Sequence, residues 1–166
     1  NTSLYSFGNY ADTYGDYSFF YRAPGKAGAL EQLPINLSDP SQGNFCWCDT
    51  FPAGFTPDLE GFMTDLSFVG GLRGTLASDL VYGVSGTYGS NGIDYQLNGS
   101  LNASWGPDSQ FEFHPGDLKQ EDINLNVDLA YALRDDINLF VRVEGRHEIY
   151  TMFEGDQQSW EKGPWA

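Results

Sequence analysis

From Ile93 to Trp105 the chain alternates without interruption. Ile93, Tyr95, Leu97, Gly99, Leu101, Ala103 and Trp105 fall on one side. Asp94, Gln96, Asn98, Ser100, Asn102 and Ser104 fall on the other. A β-strand points successive side chains to opposite faces, so the pattern predicts a strand with one apolar and one polar face. Strands of soluble proteins usually run to about 5 or 6 residues in all, far fewer than this segment. Twelve steps of about 3.3 Å, tilted by roughly 45°, rise about 28 Å, close to the roughly 25 Å apolar band of an outer-membrane barrel. The question the pattern sets is whether lipid or protein covers the apolar face.

The same period of two recurs along the chain. Residues 4–10 and 14–22 read as two strands around a short turn near Asp12. Residues 62–76 and 80–89 alternate on either side of a short turn at 77–79. The phase then slips across Ser90-Asn91-Gly92, where Asn-Gly is a hairpin signal and a bulge is the other way to shift phase. Residues 123–133 and 137–148 flank a turn at Arg134-Asp135-Asp136. Between these strands lie a long loop at 23–61, which carries Pro24, Pro34, Pro40, Pro52 and Pro57, and a loop at 106–120. No segment shows a helical period. The expected fold is all-β, an antiparallel up-and-down meander of about 7 or 8 strands, with residues 1–166 as one partial barrel domain. If the turns at Asp12, Ser78 and Asp135 share a side, the chain makes one net crossing between Leu80 and Gln120. The segment from Ile93 then either continues the preceding strand or forms an extra hairpin.

Charge narrows the partners. The chain carries 23 acidic and 8 basic side chains, a formal charge of −15. Phosphates would repel it, which argues against nucleic acid, and anionic headgroups are disfavoured as well. Solvated acidic loops or a divalent-cation site would both account for the excess, and no Asp/Asn/Gly loop has EF-hand spacing. No run approaches the 18 apolar residues of a transmembrane helix, a criterion blind to barrel strands. Aromatics reach 16% of the chain. The cluster Tyr14, Tyr17, Phe19, Phe20 and Tyr21 reads as an interfacial girdle or as a sugar-stacking platform. The first residues already read as strand, with no signal peptide, so the chain is expected to be a piece of something longer or a processed product.

Few residues carry chemistry. Cys46 and Cys48 form a Cys-x-Cys pair in the long loop. An oxidised pair, local or intermolecular, free thiols and half of a metal site are all compatible with that spacing. His147 sits beside Arg146 and Glu148 on a strand that also carries Arg142 and Glu144. It reads as a proton relay or ligand contact in a lumen, or as part of a cross-strand ladder of opposite charges. His114, in Phe113-His114-Pro115, reads as a solvated loop residue. No nucleophile elbow, phosphate loop or zincin helix is present. The expectation is a non-enzymatic protein without a cofactor, and no residue names a ligand.

Several short segments, in order, carry a resemblance. They are Leu4-Tyr5-Ser6-Phe7-Gly8-Asn9-Tyr10, Phe20-Tyr21-Arg22, Pro52-Ala53-Gly54-Phe55-Thr56-Pro57 and Gly71-Leu72-Arg73-Gly74. Tyr88-Gly89-Ser90-Asn91-Gly92, Ser100-Leu101-Asn102-Ala103-Ser104-Trp105-Gly106-Pro107 and Glu144-Gly145-Arg146-His147-Glu148-Ile149-Tyr150 follow, then Glu154-Gly155 and Gly163-Pro164. Their order and spacing resemble the middle third of the barrel of a TonB-dependent outer-membrane receptor. The resemblance implies a barrel of about 22 strands filled by an N-terminal plug. It also implies an energy-transducing TonB partner, and iron chelates, cobalamin or oligosaccharides as the substrate class. The chain departs from that pattern in having no plug, no coupling box and no C-terminal insertion strand.

Strands cut from a wide barrel leave two open edges, which must be completed in lipid or in water. Two readings follow. The first is a barrel segment of such a receptor in the bacterial outer membrane, lining the lumen with its polar faces, partnered by outer-membrane lipid and presenting the 23–61 loop to ligand. The second is a self-assembling structural protein, extracellular or at the cell surface. Its copies would pair edge to edge into a multimeric barrel, tube or filament, with Cys46 or Cys48 as a link between them.

Overall fold

The computed structural model describes residues 1–24, 33–76 and 79–166. The expected turn at 77–79 therefore lies largely outside the described residues. The chain is a mostly antiparallel β-protein, and five long strands make its main sheet. They are β1 (Thr2–Ser18), β4 (Asp58–Thr75), β5 (Val81–Asn98), β6 (Phe113–Arg134) and β7 (Ile137–Glu154). The sheet order is β1-β4-β5-β6-β7, a meander whose edges are β1 and β7, and it does not close into a barrel. A second, two-stranded sheet pairs β2 (Leu33–Pro34) with β3 (Asn44–Phe45), Leu33 opposite Phe45. Among the described residues, two four-residue helices, α1 (Trp47–Thr50) and α2 (Gln157–Trp160), and two 3-10 turns complete the regular structure.

Fewer and longer strands replace the expected set. Residues 4–10 and 14–22 do not form a hairpin; one strand runs from Thr2 to Ser18. Asp12 does not turn the chain because its carboxylate is taken by other side chains, Tyr10 at 2.8 Å and Thr64 of β4 at 3.1 Å. An Asx turn would need that carboxylate for its own backbone. Asn91-Gly92 makes no hairpin either, and β5 runs straight through it to Asn98. A strand paired on both sides gains ladder hydrogen bonds along its whole length, which outweighs a local turn preference. The loop expected at 106–120 is shorter, since β6 begins at Phe113 and includes Pro115.

The chain packs as two compact units. The first comprises residues 1–13, 63–93 and 118–151; the second comprises 14–62, 94–117 and 152–166. In the first unit the alternation sorts most but not all side chains by polarity: Glu121 and His147 share a hollow with Ile123, and Phe140 lies beside Arg142. One face presents Leu66, Phe68 and Leu72 of β4, Val84 of β5, Leu125, Val127 and Leu129 of β6, and Leu139, Val141 and Val143 of β7, all exposed. The other face carries Asp65 with Asn91, Asp122 with Asn124, and Asp128 with Arg142.

The second unit holds the buried aromatic core. Trp47, 3% exposed, and Phe113 are its buried hydrophobic side chains among the described residues. Trp47 packs edge-on against Phe45 and Phe111, with centroids 5.4 and 5.8 Å apart, and Phe51 meets Phe55 and Phe111. Such edge-to-face pairs add to the burial energy of the rings. The strand expected through Trp105 stops at Asn98. Gly99, at φ +60°, turns the chain, and Asn102 caps a 3-10 turn at Ala103–Asp108 by accepting from Ser104 N. The Asn102 amide also donates to the Gln158 carbonyl at 2.7 Å, which ties this turn to α2. Alternation past Asn98 thus reflects a capped turn held by the C-terminal segment, not a strand.

Candidate functional site

The largest feature of the first unit is its uncovered apolar face. Leu125 is 63% exposed, Val143 64% and Leu4 83%, values expected of surface side chains that none of the described residues covers. Contiguous exposed apolar area of this kind marks a surface that meets lipid or protein. A depression of about 550 Å³ interrupts it, with Leu4, Leu72, Val84 and Leu125 around a floor at Gly70 and Gly86. The glycines remove two side chains from an otherwise continuous apolar row, so the depression is a gap in that row.

The opposite face is electrostatic. Arg142 Nε donates to Asp128 Oδ1 at 2.5 Å and Nη2 to Oδ2 at 3.2 Å, a two-point contact that a guanidinium makes with a carboxylate. The Arg142 guanidinium also lies 5.7 Å from the centre of the Phe140 ring, and Arg73 lies 5.7 Å over Tyr5. Arg146 pairs with Glu148 at 3.1 Å along the same strand. Of the cross-strand ladder expected around residues 142–148, the described residues show one cross-strand pair, Arg142 with Asp128, while Arg146 pairs within its own strand. His147 is not part of it. It lines a small hollow with Tyr88, Glu121, Ile123 and Ile149, where Tyr88 donates to Glu121 at 2.7 Å.

In the second unit three titratable side chains converge. His114 Nε2 lies 2.7 Å from Asp117 Oδ1 and 3.8 Å from Asp94 Oδ1. Their ligand atoms all fall within 4.8 Å of one another. The hydrogen bond to Asp117 holds the His114 pKa above its ordinary value, with further help from the charges of Asp117, Asp94 and Asp156 and against some desolvation. Asp156 accepts from the His114 backbone N–H at 2.8 Å and from Gln110 Nε2 at 3.1 Å. The expected solvated loop histidine is therefore a partnered residue near the start of β6. Asp94 and Asp117 were not singled out from sequence. The one local signal is His114-Pro115-Gly116-Asp117, whose Pro-Gly pair can break strand alternation.

Cys46 and Cys48 lie at disulfide-bonding distance from each other, the local form of the expected pairing. Cys46 also caps α1, its sulfur accepting from Cys48 N at 3.2 Å. Within 23–61 the described residues form β2, β3, α1 and a 3-10 turn at Pro40–Gln42, where Asp39 caps by bonding Ser41 and Gln42. Those bonds hold the Asp39 carboxyl below its usual range. The aromatic residues Tyr14, Tyr17, Phe19, Phe20 and Tyr21 are all exposed; Tyr14 packs at a tilt against Phe62, ring centres 5.1 Å apart, and Tyr21 donates to the Ala53 carbonyl. No family model, curated protein or solved structure matches the chain.

Proposed function

We propose that the chain is a barrel segment of a TonB-dependent outer-membrane receptor for nutrient uptake. In this reading the apolar face of the first unit meets lipid and the ion-paired face lines the lumen. The observation that carries it is the separation of faces. Four neighbouring strands expose Leu, Val and Phe on one side and place paired Asp, Asn and Arg on the other. That is the apolar-out, polar-in period of a membrane barrel. The strand portions within the first unit are each about a dozen residues or more. Tilted by roughly 45°, a dozen steps rise about 28 Å, enough for the apolar band. The exposed aromatics at 14–21 serve as the girdle, and residues 23–61 as the segment offered to ligand. Iron chelates, cobalamin or oligosaccharides are the substrate class, with no covalent chemistry. The TonB partner acts only on a complete receptor.

The two unpaired edges, β1 and β7, favour one other reading. Copies of the chain would pair edge to edge into a multimeric barrel, tube or extracellular filament. Molar mass in detergent and in water separates the two. The receptor reading expects the protein, isolated from its source membrane, to need detergent and to belong to a polypeptide far heavier than 18.4 kDa. A detergent-free polymer of 18.4 kDa chains, dissociating only on denaturation, would overturn it in favour of self-assembly.

A further inference from the structure

We propose that Asp94, His114 and Asp117 form a binding site for a divalent transition-metal ion, of which zinc is the best fit. Residues three apart in a regular strand point to opposite faces. His114 and Asp117 nonetheless meet at 2.7 Å, because Pro115 and Gly116 interrupt the alternation and Gly116 takes φ +117°. The break turns two β6 side chains toward Asp94 of β5. One imidazole nitrogen and two carboxylate oxygens then converge from two strands.

The distances suit an ion between them. Zinc holds nitrogen and oxygen ligands at about 2.0–2.1 Å, so ligand atoms at neighbouring corners of a tetrahedron stand about 3.3 Å apart. The observed 2.7 and 3.8 Å from His114 bracket that value, and the three ligand atoms all lie within 4.8 Å of one another, so side-chain rotation would have to draw them together around the ion. Mixed imidazole and carboxylate ligation suits zinc and its neighbours, whereas calcium and magnesium prefer oxygen alone. The three side chains are one-third to one-half exposed, which leaves room for water at a fourth position. Asp156 is positioned to support the site from outside it: its carboxylate accepts from the His114 backbone N–H and so fixes where the ring starts. A bound ion would pin β5 to β6 and offset the like charges of Asp94 and Asp117. The inference uses only residues of the second unit and does not depend on what covers the apolar face.

Calorimetric titration of the refolded full chain with Zn²⁺ tests it, using a Cys46→Ser, Cys48→Ser background so that no thiolate competes. One ion per chain is expected. His114→Ala and the near-isosteric Asp117→Asn should each weaken binding by roughly tenfold or more, and His147→Ala should leave it unchanged. Circular dichroism of the Asp117→Asn chain, matching the parent, shows that the fold survives. Absence of binding at millimolar Zn²⁺, or equal affinity in parent and Asp117→Asn, would overturn the proposal. So would a loss of affinity with His147→Ala equal to that with His114→Ala.

Discussion

Gly116 shows how one residue can decide where others point. A side chain at φ +117° is strained, and a Cβ there would collide with the Phe153 carbonyl oxygen. Gly116→Ala should therefore cost roughly 1–3 kcal/mol of stability, read as a lowered midpoint in chemical denaturation. An unchanged midpoint would mean that the local break is not needed. The two histidines make the complementary case. In the sequence His114 reads as a solvated loop residue and His147 as a strand residue among opposite charges. In the structure His114 is held by Asp117 and faces Asp94, while His147 lines a hollow with Tyr88 and Ile123. Residues 94 and 114 are brought together by strand pairing, which no window along the chain contains. The pair Cys46 and Cys48 was more legible, because two residues of separation leave the sulfurs near one another in any compact turn.

At the scale of the element, periodicity was a good guide to strand faces and a poor guide to strand ends. Residues 62–76, 123–133 and 137–148 alternate as the strands β4, β6 and β7 do. Breaks were misread wherever a turn residue found a partner outside its own turn. Asp12 bonds Thr64, and Asn91 donates to Asp65, so neither bends the chain. The reverse error occurred beyond Asn98, where alternation persists but Gly99 and the Asn102 cap end the strand. The face assignment gives a direct test. Val127 and Asn126 are adjacent on β6 and point to opposite faces. If lipid covers the apolar face, Val127→Arg near mid-strand should cost about 2–4 kcal/mol of folding free energy in a bilayer. Asn126→Arg should cost far less, and folding titrations into vesicles would measure both. Equal costs would mean that the two faces see similar surroundings.

For the whole molecule the open edges are the decisive feature. β1 and β7 are the edges of the main sheet among the described residues, and an edge in lipid or water must be paired or protected. Cys46 and Cys48 lie at bonding distance from one another, and a pair closed within the chain leaves neither sulfur to join copies. The Cys46→Ser, Cys48→Ser chain should accordingly keep the molar mass of the parent in light scattering. A fall to a smaller species would show that a cysteine links chains and would restore that part of the self-assembly reading.

The sequence alone determined that the protein is a strand-rich chain with two-faced strands, strong acidity and a cysteine pair. Those properties are local: a period of two, a charge count and a spacing of two residues are all readable within a short window. The tertiary structure decided that five long strands make one meander, that the apolar side of four of them lies uncovered, and that Asp94 meets His114 and Asp117. Each of these depends on which strands lie side by side. Cross-strand partners compete with a residue's own turn or cap, and the outcome rests on the sum of ladder hydrogen bonds and side-chain pairs along the sheet.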